Sequence, residues 1–140
     1  MKKLLLTACI CAILAACSTA SKVEFAEANG FFFKNNQPTP TEALVIRNTA
    51  ELEEHFGYAT TMSSRPTAID FTKQAAIAIV LPVTDHDTQI SVAEVTAKGS
   101  DLEVAYTVKT GEKQSYSIQP LAILVVDKAL VNGKVTAVKK

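Results

Sequence analysis

The sequence predicts an α+β fold that is mostly β: a twisted antiparallel sheet or partly closed barrel, with one short helix at about residues 49–56 packed on it. Three observations carry this expectation. Ala75–Leu81 and Leu121–Val126 are continuous Ile- and Val-rich apolar runs, the pattern of strands buried on both faces. Leu102, Val104, Tyr106 and Val108 alternate with Glu103, Ala105, Thr107 and Lys109, the period of a strand with one face in a core. A single stretch, following Asn48, has a helix start and a helix-spaced apolar pair.

Taken in chain order, Ser18–Lys22 reads as a short polar tether. Lys34–Thr41, with Pro38 and Pro40 and no other apolar side chain, reads as exposed chain, because proline blocks regular pairing. Leu44-Val45-Ile46 forms a short strand leading into the helix. Asn48 caps that helix and Glu51 stands three residues on, as in a capping box. Leu52 and Phe56 share one face, Glu51, Glu53 and Glu54 lie near the positive end of the dipole, and Gly57 supplies the stop. Ala59–Thr67 is a hydroxyl-rich loop.

From Ile69 onward the pattern is of strands joined by turns. Gly99-Ser100 links the 90–97 region to the Leu102 strand, Thr110-Gly111 begins the next reversal, and Asn132-Gly133 suits a type I′ hairpin. Strands so connected are expected to be antiparallel.

The N-terminus carries targeting information. Lys2 and Lys3 precede an apolar run from Leu4 to Ala16 broken only by Thr7, the layout of a secretory signal. The run is shorter than the ~20 residues a spanning helix needs. Leu14-Ala15-Ala16-Cys17 resembles the lipobox of bacterial lipoproteins, which implies that Cys17 becomes an acylated N-terminus; several acyl chains make such an anchor stable. The expected organisation is residues 1–16 as signal peptide, 17–22 as lipid-anchored tether and 23–140 as one domain. Ser18, in place of an acidic residue, favours the outer membrane, on its periplasmic or surface side.

Of the three cysteines, Cys9 and Cys11 then leave with the leader and Cys17 carries lipid. Disulfides and thiolate chemistry are therefore not expected in the mature domain, whose stability must come from packing. Loss of the leader shortens 140 residues to 124, a length suited to a single core. Loss of Lys2 and Lys3 takes 14 basic residues to 12 against 14 acidic ones, which makes nucleic acid an unexpected partner.

Asp85-His86-Asp87 is the one compact group of metal-ligand types, expected in a turn between two strands, where a self-bonded polar turn is the simpler reading. No metal and no cofactor are expected, because a site needs three or four converging ligands. Ser63 and Ser64 lack the glycines of a nucleophile elbow, and His55 lies on the helix, so no catalytic residues are assigned. Phe31-Phe32-Phe33 is the most unusual apolar feature, in which a strand turns Phe32 away from its neighbours. The simpler reading is an edge strand whose rings all reach core or a covered flank, with one large ring left for an interface as the alternative.

Asn48–Glu54, Pro66-Thr67-Ala68-Ile69-Asp70-Phe71, the apolar strand to Leu81 and Gln119-Pro120-Leu121-Ala122-Ile123 before Lys128 together resemble the PrcB-like family, named for a bacterial protease-complex subunit, over about residues 44–138. The resemblance implies a small exported protein that assists a surface protease complex, and it brings no catalytic residues. Asp70 and Phe71 match its Ile-Asp-Phe motif and are read as a turn cap and a core anchor. Thr84–Thr88 departs from the Gly-rich turn of that pattern.

The expectation is a non-enzymatic, membrane-anchored module that binds another envelope protein, with Phe32 and His86 as contacts. The alternatives are a metal-dependent envelope enzyme using Asp85, His86 and Asp87, and a protease inhibitor presenting Ala59–Thr67.

Overall fold

The computed structural model describes residues 20–140. In chain order the elements are β1 (Ser21–Val23), β2 (Ala26–Ala28), β3 (Phe31–Phe33), β4 (Leu44–Ile46), α1 (Thr49–His55), β5 (Phe56–Tyr58), β6 (Gln74–Val80), β7 (Thr84–Lys98), β8 (Asp101–Ile118), β9 (Leu121–Asp127), a 3₁₀ turn (Lys128–Leu130) and β10 (Val135–Lys139). The mostly β, α+β class read from the sequence is the class observed, with no sheet closed into a barrel.

The two apolar runs, β6 and β9, pair with each other from Gln74↔Asp127 to Val80↔Leu121 and form the centre of a sheet ordered β2-β9-β6-β4. Both faces of this sheet are covered. Ala76, Ala78, Val80, Ile123 and Val125 point into one core with Phe33, Leu52 and Phe56, while Ala75, Ile77, Ile79, Leu124 and Val126 point into another with Val95, Leu102 and Val104. A strand whose successive side chains meet apolar partners on both sides has no use for alternation. The molecule is thus three-layered: the helix with a small β3–β5 ribbon, the central sheet, and a second sheet ordered β1-β7-β8-β10.

The second sheet arises because β6–β7 and β8–β9 are one long ribbon folded back on itself. The pairing Val80↔Leu121 is followed across the bend by Thr84↔Ile118 and continues to Lys98↔Asp101. At the far turn Gly99 takes φ +60°, the positive value a two-residue hairpin with glycine first requires. Leu81 N–H donates to Pro120 O at 2.9 Å across the bend, and Gln119 Nε2 reaches Leu81 O and Thr39 Oγ1.

The helix start is as the sequence indicates: Asn48 Oδ1 accepts from Glu51 N–H at 2.9 Å. Glu51 Oε2 returns to Arg47 N–H at 2.7 Å, one residue before the cap. The helix stops earlier than expected, at His55, because Phe56 adopts extended geometry and buries its ring in the core; Gly57 is a β5 residue.

Four further expectations are corrected. Asn132-Gly133 is not a type I′ hairpin, since Gly133 has no positive φ and β10 runs parallel to β8, making that sheet mixed. The physical reason is that β9 already has β2 and β6 on its two edges, so the chain must cross to a free edge elsewhere. Thr110-Gly111 is not a reversal; it lies inside β8, where Thr110 pairs with Thr88 and Lys113 with His86. Asp85-His86-Asp87 is not a turn but part of β7. Ser21 and Lys22, read as tether, belong to β1.

Candidate functional site

The β3–β5 ribbon pairs Phe31 with Tyr58, Phe32 with Gly57 and Phe33 with Phe56. Strand alternation buries Phe33 and Phe56, whose rings meet edge to face at 5.6 Å, and Phe31 and Tyr58 follow at 5.7 Å. Phe32 points the other way. Its ring lies over Gly57 and remains 48 % exposed, so the simpler expectation that all three rings are covered is corrected. Among the described residues nothing packs on the outer face of the short β3–β5 ribbon except the Gly57 backbone beneath the ring.

Beyond Tyr58 the chain enters the hydroxyl-rich loop, which is stitched to the segment before β3. Ala59 N–H donates to Gly30 O at 2.8 Å, Thr67 N–H to Asn29 O at 2.9 Å, and Asn29 N–H to Thr67 Oγ1 at 2.9 Å. Gly30 has φ +89° and sits against the backbone of Pro66, so both its conformation and its lack of a side chain are used. Thr61 and Ser64 brace the tip through backbone bonds in both directions and a 2.7 Å hydroxyl pair. Met62 stands at that tip fully exposed.

Between this loop and the helix is a cleft of about 660 Å³ lined by Phe31, Leu52, Tyr58, Arg65, Ile69 and Phe71 among others. The Tyr58 hydroxyl donates to Glu53 Oε1 at 3.1 Å. Partial burial, then that hydrogen bond, then the charge of Glu53 push the phenol above its ordinary pKa. Asp70 closes the loop by accepting from Thr72 Oγ1 at 2.6 Å and Thr72 N–H at 3.0 Å, which holds its carboxyl below the ordinary value. Phe71 packs against the core beneath the helix, so the pair behaves as turn cap and anchor.

A second region lies at the bend of the folded ribbon. Between Thr84↔Ile118 and His86↔Lys113, β8 spends five residues where β7 spends two, a bulge that presents Tyr116 at 61 % exposure. The irregular pairing also lets neighbouring side chains meet: Asp85 Oδ1 is 2.9 Å from His86 Nδ1 and its Oδ2 is 3.3 Å from Lys113 Nζ. All three are substantially exposed, where such pairs contribute about 0–1 kcal/mol. Asp87 packs against Gly111. Among the described residues no group of three His, Cys, Asp or Glu side chains stands close enough to hold a metal ion, and a cation bound by Asp85 would compete with Lys113.

Phe32 and His86 therefore do not form one site; they occupy layers on opposite sides of the central sheet. Ser64 is engaged with Thr61, and His55 Nδ1 with Gln37 Oε1 at 2.5 Å, so the serine loop and the helix histidine have separate partners. Cys17 lies outside the described residues. Tyr58 and Met62 were not singled out from the sequence, although Phe56-Gly57-Tyr58 opposite Phe31-Phe32-Phe33 is a legible complement of aromatic, gap and aromatic.

Comparison with protein-family models, with curated proteins and with solved structures finds no match.

Proposed function

We propose that the protein is a non-enzymatic, lipid-anchored module of the cell envelope that binds another envelope protein, with a protease complex as the partner suggested by the PrcB-like motifs. The observation that carries this reading is the exposed Phe32 ring, held on a ribbon whose other face is locked into the core by Phe33 and Phe56. Rigid, partly exposed aromatic side chains are the anchors protein interfaces use, because they bury much area and lose little side-chain freedom. The signal layout and Cys17 supply the membrane attachment.

The test is crosslinking in living cells of the producing organism, with affinity recovery of the tagged full chain and mass spectrometry. One envelope protein recovered with the wild type and lost with Phe32→Ala supports the reading. Recovery no different from a control carrying only the anchor segment removes it.

A second reading is favoured by one feature. The loop from Ala59 to Thr67 is braced at its tip and at both stems, with Met62 wholly exposed, which is how a pre-ordered loop is offered to a protease cleft. It predicts inhibition of a serine or cysteine protease that Met62→Asp abolishes; a broad panel with no enzyme inhibited counts against it.

A further inference from the structure

Attachment through Cys17 would constrain more than location, because the chain from Cys17 to β1 is very short. Four peptide units separate Cys17 from Ser21, a span of at most about 14 Å however those residues are arranged. Ser21 pairs with Ala97 and Val23 with Val95, so β1 meets the second sheet beside the Lys98–Asp101 hairpin turn and then runs away from that turn. β2 continues in the same sense, from Ala26 opposite Val125 to Ala28 opposite Ile123, towards the bend of the ribbon. His86 lies twelve residues along β7 from Lys98, which at about 3.3 Å per residue is some 40 Å before twist and bulges shorten it. The tether cannot bring that end to the same surface as the turn without the domain lying on its side.

The turn end has the chemistry of a headgroup contact. Two turns lie together there: Gly133 packs against Ser100 and Asp101, and Lys134 N–H donates to Asp101 Oδ1 at 2.9 Å. The exposed side chains around them include Lys22, Lys98 and Lys134 with Asp101, and Lys22 and Lys98 stand 4.0 and 3.9 Å from the carboxylates of Glu94 and Glu103, a polar, mixed-charge face. The large exposed apolar side chains among the described residues, Phe32, Tyr58, Met62, Val83 and Tyr116, all belong to other parts of the fold.

We infer that the face formed by the Lys98–Asp101 and Asn132–Lys134 turns rests against the phospholipid headgroups, and that the bend bearing His86, Lys113 and Tyr116 projects away from the bilayer. The domain stands upright on its anchor: a polar, mixed-charge face meets the headgroups without insertion, and the bulged end is held away from the bilayer. This orientation rests on the lipid-anchor reading above.

The mature domain contains no cysteine beyond Cys17, so single probes can be placed cleanly. The full chain is expressed with Ser100→Cys or Lys134→Cys at the turn end, or with Ser115→Cys or Glu112→Cys at the bend. Each processed protein is checked by mass for lipid on Cys17, labelled with a thiol-reactive fluorophore and reconstituted into phosphatidylethanolamine/phosphatidylglycerol vesicles with and without nitroxide-headgroup lipid. Loss of fluorescence at 100 and 134, with none beyond the nitroxide-free control at 112 and 115, is the expected result. Lipidated protein quenched equally at both ends, or more strongly at the bend, overturns the orientation and leaves the anchor reading intact. Absence of lipid on Cys17 overturns both. Two positions at each end guard against a variant that fails to fold.

Discussion

The ring of Phe32 lies across Gly57, its direct partner in the β3–β5 ribbon, and fills the space a side chain at position 57 would need. Gly57 has no positive φ, so the requirement for glycine comes from this contact and not from the backbone. Gly57→Ala should push the ring outward at a cost of about 1 kcal/mol, since an exposed ring can swing aside. In a Phe32→Ala background the same change should be neutral or stabilising by about 0.5–1 kcal/mol, because alanine loses less backbone freedom in a strand. Urea denaturation of the four proteins in a double-mutant cycle reads this coupling, and a cycle that sums to zero rejects it.

The phenylalanines on either side of that ring behave differently. Phe33 is buried against Phe56, so Phe33→Ala should cost about 3–5 kcal/mol. Phe32→Ala should stay near 1 kcal/mol while altering partner recovery. Equal losses at the two positions would mean that the outward ring is part of the core.

Two glycines with positive φ separate strain from contact. Gly99 faces open space, so Gly99→Ala should cost only the left-handed penalty, about 1–2 kcal/mol. Gly30→Ala adds a clash with the Pro66 backbone and should cost more. It should also speed limited proteolysis near Met62, because the loop stem hangs from Asn29 and Gly30. Identical Tm losses and an unchanged cleavage pattern would contradict this account.

Asp70 links the turn before β6 to pH. Its folded-state pKa is lowered by the Thr72 side-chain and then the Thr72 backbone hydrogen bond. A depressed carboxyl stabilises the fold above the unfolded value, about 3.9, and that contribution is lost as pH falls towards the lower folded value. Asp70→Asn should therefore flatten the fall in stability below about pH 4. Thermal melts of both proteins between neutral and acid pH measure the difference, and parallel curves would refute it.

At the helix start, Asn48→Ala removes the acceptor for Glu51 N–H and should cost about 1 kcal/mol. Asn48→Asp should retain most of the stability, since aspartate accepts the same bond. Equal destabilisation by both would show that the side chain of Asn48 acts through something other than capping.

The features legible in the sequence are those written in a few adjacent residues. The cap at Asn48, the two-residue turn at Gly99-Ser100, the short strand at Leu44–Ile46 and the outward turn of Phe32 each follow from local geometry or strict alternation. The uninterrupted apolar character of Ala75–Leu81 and Leu121–Val126 announced two-sided burial, and those strands are the centre of the molecule. By itself the sequence thus determined the class and the identity of the central strands; alternation turned Phe32 outward, but that its ring stays uncovered was decided by the tertiary structure.

Only the tertiary structure decided which strand lies beside which, and what each glycine is for. Asn132-Gly133 has the composition of a hairpin, yet β9 has no free edge to receive a returning strand, and β10 pairs parallel with β8. Gly57 has the composition of a helix stop, yet its role is set by a ring contributed from twenty-five positions earlier. The same holds for Asp85, His86 and Lys113, which meet because β8 is bulged opposite β7. Edge availability, bulge position and ring contact depend on residues far apart in the chain, and short-range pattern carries no record of them.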